Sequence, residues 1–309
     1  MPALITHHLF GEAAVTSLPE GLVQGQEELL AFLMGNQGPD PFFARFSTRP
    51  DKAAVAHRLA HEMHEEHVAG AFVCLRQAVT HLWEEDKGVG RAFVLGMAGH
   101  YLLDRTAHPL VFAEQDAICE AGVGLEGAGV DVHAVIESDI DTWMLWQERH
   151  ATVLDCPPDM ELALTSRIAR VAGALFSQVA WQVYDLRVGA DEFGRSVRDY
   201  AFVYRRIEPA GSMRCDGYAA IERLLRPHSH LRAMAHQVLR SDECASANLE
   251  RHPWTDPSTG EVSCDSFADL YHKALADYAG FVESYVRGGG LNVEEIVCGI
   301  NYDGVRGTH

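Results

Sequence analysis

The stretch Val89-Gly-Arg-Ala-Phe-Val-Leu-Gly-Met-Ala-Gly-His-Tyr-Leu-Leu-Asp-Arg-Thr-Ala-His-Pro109 decides the fold. It is rich in helix formers, nearly free of charge, and shows no alternation of apolar and polar residues. Gly96, Ala98 and Gly99 permit another helix to approach closely. A helix apolar on nearly all sides belongs in a core. Pro109 disfavours α conformation in the residue before it, so this helix is expected to end near His108. At 3.6 residues per turn, His100, Asp104 and His108 fall on one stripe. Buried ionisable groups are costly unless paired or bound to metal. A metal ion is the simplest single partner for two imidazoles and a carboxylate on such a helix.

Working outward, a helix from about Val132 to Arg149 repeats the spacing with His133 and Glu137. Mixed nitrogen and oxygen donors suit zinc. A further helix is expected from Pro50-Asp51, with Asp51 as its N-cap, through His81. His57, His61 and His64 share one of its faces; taken alone, that face reads as solvated. Off the helices stand His7 or His8 and the turn aspartate Asp40, in Gly38-Pro-Asp-Pro41.

The rest of the chain is also helical in pattern. Residues 1–20 are short and mixed, and Gly21–Met34 reads as helix. Gly122–Gly129 is a connector. After Pro157-Pro158, helices are expected near 160–186, 190–207, 215–225 and 227–240. Residues 245–265 read as a long loop, and a helix over Ser266–Arg287 stops at Gly288-Gly-Gly290. The expectation is an all-α fold in one domain spanning 1–309, with a metal-site half over about 1–155 and a divergent helical half over 156–309.

Composition narrows the function. Apolar residues make up 47% of the chain, enough for a core. A net charge of −19 speaks against a nucleic-acid polymer as partner. Seven scattered cysteines without a C-x-x-C pair argue against thiolate zinc or a disulfide framework. The N-terminus lacks a leader pattern, and no apolar run reaches the roughly 20 residues of a membrane span. A cytoplasmic protein without integral membrane association is expected. His61-Glu-Met-His64 is not H-E-x-x-H, and neither a phosphate-binding P-loop nor a nucleophile elbow is present.

Five ordered motifs carry a resemblance: Thr6-His-His-Leu-Phe-Gly-Glu12, Gly38-Pro-Asp-Pro-Phe-Phe43, Met63-His-Glu65, Gly99-His-Tyr-Leu-Leu-Asp-Arg-Thr-Ala-His-Pro109 and His133-Ala-Val-Ile-Glu-Ser-Asp-Ile-Asp141. Together they resemble the zinc-dependent phospholipase C family, part of a superfamily that includes the P1-type nucleases. The resemblance covers roughly the first half of the chain. It implies a multi-helix bundle with a metal cluster in a cleft. One zinc would use Asp40, His64, His100 and Asp104, with His61 as the alternative to His64. A second would use His108, His133 and Glu137. A third would share Asp104 with His7 or His8. Secreted family members also offer an N-terminal amine to that third site, whereas this chain opens Met-Pro. Two or three zinc ions are therefore expected.

The implied activity is metal-assisted hydrolysis of a phosphate ester, either phospholipid-type or a soluble diester or monoester, with Asp40 orienting or deprotonating the attacking water. Glu62, Asp131, Asp139 and Asp141 are candidate partners for histidine N–H groups. Two competing readings are a zinc hydrolase of non-phosphate esters or amides, and a non-catalytic metal-stabilised binding protein.

Overall fold

A computed structural model describes residues 4–287 and 291–307. In chain order its helices are α1 (Leu4–Val15), α2 (Gly25–Gly35), α3 (Pro50–Glu65), α4 (Val68–Thr80), α5 (Lys87–Ala121), α6 (Gly129–Arg149), α7 (Ser166–Tyr184), α8 (Glu192–Ile207), α9 (Met213–Glu222), α10 (His230–Ala233), α11 (Phe267–Arg287) and α12 (Leu291–Val297). The fold is all-α. Among the described residues the only strands are β1 (Trp254–Thr255) and β2 (Val262–Ser263), a two-stranded antiparallel hairpin.

Helix α5 is the axis, buried along almost every position from Val89 to Val111. Helices α1, α2, α4, α6, α7 and α11 pack around it. Apolar side chains from Leu4 to Tyr302 form one continuous core. Helices α2 and α5 cross closely. A Cβ on Gly35 would sit 2.1 Å from the Phe93 carbonyl oxygen, and one on Gly96 would sit 2.0 Å from that of Phe32. Both obstacles are backbone and cannot rotate away. Gly96→Ala is expected to lower unfolding free energy by about 3 kcal/mol, because overpacking outweighs the gain in helix propensity. A denaturant midpoint equal to wild type would show that the crossing is softer than its geometry implies.

Several local expectations are corrected. Helix α5 does not stop at His108 but continues through Pro109 to Ala121. An interior proline costs about 3 kcal/mol. Leu110 and Val111, both buried just beyond it, each return about 1.5–3 kcal/mol. The helix expected from Pro50 to His81 is two helices, broken at Glu66 and at His67, whose φ is +54°. Asp51 is not the N-cap of α3. Arg49 takes that position, and the Asp51 carboxylate accepts from its guanidinium. Residues 4–15, read as mixed, are helix α1; that helix is buried on nearly all sides, so it shows no apolar stripe. The helix expected at 227–240 shrinks to the single turn α10. The loop expected at 245–265 contains the β1–β2 hairpin. The expected stop at Gly288-Gly-Gly290 lies outside the described residues. No helix among the described residues is long and apolar enough to cross a membrane.

Candidate metal centre

The α5 stripe carries His100, Asp104 and His108 along one face, all three buried. Asp104 is the hub. Its Oδ1 lies 3.0 Å from His7 Nε2 and 3.9 Å from His108 Nε2, and its Oδ2 lies 3.2 Å from His100 Nε2 and 3.9 Å from His64 Nε2. Helix α1 supplies His7. The 3-10 turn Asp40–Ala44 supplies Asp40, whose oxygens lie 3.1 Å from His64 Nε2 and 3.6 Å from His100 Nε2. Helix α6 supplies His133 and Glu137. Glu137 Oε1 lies 3.2 Å from His133 Nε2 and 3.5 Å from His108 Nε2.

Gly38 explains how Asp40 comes so close to α5. Its φ is +54°, and a Cβ there would fall 2.2 Å from the His100 ring. Only glycine fits both the left-handed backbone and the space.

The outer ring nitrogens orient the histidines. His64 Nδ1 donates to the Ala60 carbonyl at 2.7 Å, His100 Nδ1 to that of Asn36 at 3.1 Å, and His108 Nδ1 to that of Tyr302 at 2.9 Å. His133 Nδ1 faces Gln115 Oε1 at 3.1 Å. Donation through Nδ1 leaves each Nε2 aimed at the carboxylates, as a lone pair when the ring is neutral. Lone pairs and anionic oxygens at such distances repel unless a proton or a metal cation lies between them. Both Asp40 oxygens, His100 Nε2 and Asp104 Oδ2 are buried and make no hydrogen bond. Zinc held tetrahedrally at its usual bond lengths spaces its ligand atoms about 3.3 Å apart. Three sets have donor atoms mutually within 4.8 Å: His7–His100–Asp104, Asp40–His64–His100 and His108–His133–Glu137. The donor types, spacing and orphaned atoms fit zinc.

Burial and charge oppose each other across the cluster. Burial carries the His100 imidazole down to about 4, only partly offset by Asp104 and Asp40. Burial also acts downward on His108, but Asp104 and Glu137 overcome it and push that ring up to about 10. His7 and His64 are raised in the same way: burial is outweighed by Asp104 for His7 and by Asp40 for His64. Asp104 is held well below the usual carboxylate range despite its burial, by His100, His108 and His7.

The alternatives left open by the sequence separate in space. His8 turns away from Asp104 toward Glu161 at 2.8 Å and Glu12 at 3.6 Å. His61 lies edge-on to Phe43, while His64 meets Asp40. The four acids expected behind the histidines take other hydrogen-bond partners among the described residues than His7, His64, His100, His108 or His133. Glu62 accepts from Arg58, Asp131 faces Arg226 and His230, and Asp139 faces Ser246. Asp141 instead accepts the backbone N–H groups of Ile5 and Thr6 at 2.9 and 2.7 Å, which fixes the start of α1 one residue from His7. Phe42 packs in the core against Phe176 and Phe193, and Phe43 lies against His61 and His64.

The second half contributes residues that the sequence did not reveal. His236 Nε2 lies 3.0 Å from Asp141, and its Nδ1 lies 2.7 Å from Glu208. An imidazole between two carboxylates is favoured as the cation. Burial opposes this, but Glu208 and Asp141 push His236 up to about 10 from 6.5. The folded-state value is the higher one, so this contribution to stability is complete below about 6.5 and is lost as pH rises through about 10. Wild type is expected to lose unfolding free energy between pH 7 and 10 more steeply than His236→Gln, measured by urea unfolding. Equal slopes would contradict the assignment.

Comparison with known proteins yields one family match. The model described as zinc dependent phospholipase C matches residues 6–181, more than half of the chain. Comparison with curated proteins and with solved structures gives no match. The matched segment holds all eight residues of the cluster; His236, Glu208 and Tyr302 lie outside it.

Proposed function

Because the chain belongs to the zinc-dependent phospholipase C family, whose chemistry is zinc-dependent phosphoester hydrolysis, we propose that His7, Asp40, His64, His100, Asp104, His108, His133 and Glu137 hold two or three zinc ions and cleave a phosphate ester there. The observation that carries this reading is Asp104. It is one buried carboxylate whose two oxygens face different histidines, and neither its Oδ2 nor the facing His100 Nε2 makes a hydrogen bond.

When bound, zinc lowers the pKa of water toward neutrality and neutralises phosphoryl oxygens as charge builds on them. The chain's residues do the rest. In this proposal Asp40 orients the attacking water and takes its proton. Asp40, Asp104 and Glu137 carry three negative charges against two or three dications, so the loaded site would be net positive in an acidic protein and would draw a phosphate. The substrate in this proposal is a phospholipid-type ester or a soluble phosphodiester or monoester. The single working unit and the cytoplasmic setting belong to the same proposal, the first supported by the continuous core and the second by the scattered cysteine set. The test is elemental analysis of purified protein beside a phosphodiester and phosphomonoester panel. Two to three zinc per chain with turnover of one ester class is expected. A folded, never-chelated sample with less than one zinc, or turnover confined to carboxylic esters and amides, would overturn the proposal.

A further inference from the structure

The chain after α12 returns to the metal centre. Residues 299–307 fold back on themselves: Gly307 N–H donates to the Gly299 carbonyl at 2.8 Å, and Asn301 N–H to that of Val305 at 2.9 Å. Asn301 Oδ1 accepts from the backbone of Asp303 and Val305, a side-chain turn that fixes the tip. The base is tied to α5, where the Tyr101 hydroxyl donates to the Ile300 carbonyl and Arg105 to that of Ile296. Gly304, at φ +76°, lies so close to α5 that a Cβ would sit 2.7 Å from the Pro109 ring and 2.8 Å from the Arg105 carbonyl oxygen. Pro109 has no N–H to give that carbonyl, and the space over the break is where the turn sits.

The tip presents Tyr302, which is 2% exposed. Its N–H donates to the His64 carbonyl at 3.0 Å, in the last turn of α3, where helix carbonyls lack intrahelical partners. Its carbonyl accepts from His108 Nδ1. Its ring lies 4.8 Å from that of His64 and 5.6 Å from that of His100. One residue thus touches ligands of two donor sets, His64 and His100 of one and His108 of the other.

We propose that Tyr302 is a positioning residue that clamps both halves of the metal centre, so that the residue 299–307 turn, outside the matched family segment, completes the site. This rests on the metal reading above. The ring fixes the Tyr302 backbone, and the backbone sets the His108 tautomer and the end of α3. Outer partners of metal-bound histidines are typically worth about 10- to 100-fold in affinity.

The experiment compares full-length wild type, Tyr302→Phe, Tyr302→Ala and Gly304→Ala. Zinc affinity is measured by chelator competition, and the visible spectrum of the cobalt-substituted protein reports ligand geometry. Tyr302→Phe keeps the ring and is expected to match wild type. Tyr302→Ala and Gly304→Ala are expected to bind zinc about 10- to 100-fold more weakly and to shift the cobalt bands. Wild-type affinity and spectrum in both would overturn the clamp while leaving the metal reading intact. Wild type that binds no zinc would overturn the metal reading itself. If Tyr302→Ala does not fold, Gly304→Ala decides: weaker binding with a shifted spectrum supports the clamp, and unchanged binding overturns it.

Discussion

Asp104→Asn is expected to cut phosphate-ester kcat/KM about a thousandfold, equivalent to roughly 4 kcal/mol of transition-state stabilisation, and to remove at least one zinc per chain. The substitution preserves shape, so the loss is one of charge and donor atoms. Asp104 Oδ1 faces His7 and Oδ2 faces His100. A neutral amide offers one oxygen where two are used, and its NH2 turns donors toward imidazole nitrogens or a cation. The effect should therefore exceed that of losing a peripheral histidine. Glu84→Gln is the matching control, since Glu84 is solvent-exposed and pairs with Lys87. Near-wild-type turnover by a Asp104→Asn protein that retains full zinc would remove the hub from the chemistry.

Zinc removal should have the second largest effect, on stability. Ligand that binds only the folded state stabilises by about 4 kcal/mol at a thousand times Kd. For a chain of this size that corresponds to a fall in Tm on the order of 10 °C on complete chelation. The physical source is local. Without a cation, the buried Asp40 and Asp104 oxygens that make no hydrogen bond must be offset by imidazolium groups that are themselves costly to bury. Scanning calorimetry before and after exhaustive chelation, with re-addition of zinc, measures it. An unchanged midpoint in a sample shown to be metal-free would contradict a cluster bound at this centre.

The all-α class and the stripes of candidate ligands were legible in the sequence, for a physical reason. The i, i+4 spacings of His100–Asp104–His108 and His133–Glu137 are local, and helix geometry alone turns them into stripes. The choice between His7 and His8 is not local; it depends on how α1 rolls against α5, and both histidines are buried. Asp40 could be nominated from its turn, but its approach to His100 depends on Gly38 accepting the imidazole where a Cβ would go. Pro109 misled because the local rule is real and tertiary burial of Leu110 and Val111 overrides it. Tyr302 and His236 carried no periodic signal. Asn301-Tyr-Asp-Gly304 reads as a turn and nothing more, and only the fold shows what that turn leans on.

The distance along the chain between Tyr302 and the histidines it touches has a kinetic consequence. Tyr302 meets His108 across 194 residues of sequence. Contacts of such separation are late events, because the intervening loop must be closed before they contribute. On a ribosome that releases the N-terminal part first, all eight donor residues emerge long before the turn that orients His108. A nascent chain therefore passes through an interval in which the donors exist and the rings are not yet held. Metal captured then would meet a looser and less selective set of ligands than the folded site offers, and the turn carrying Tyr302 would set how firmly that metal is kept.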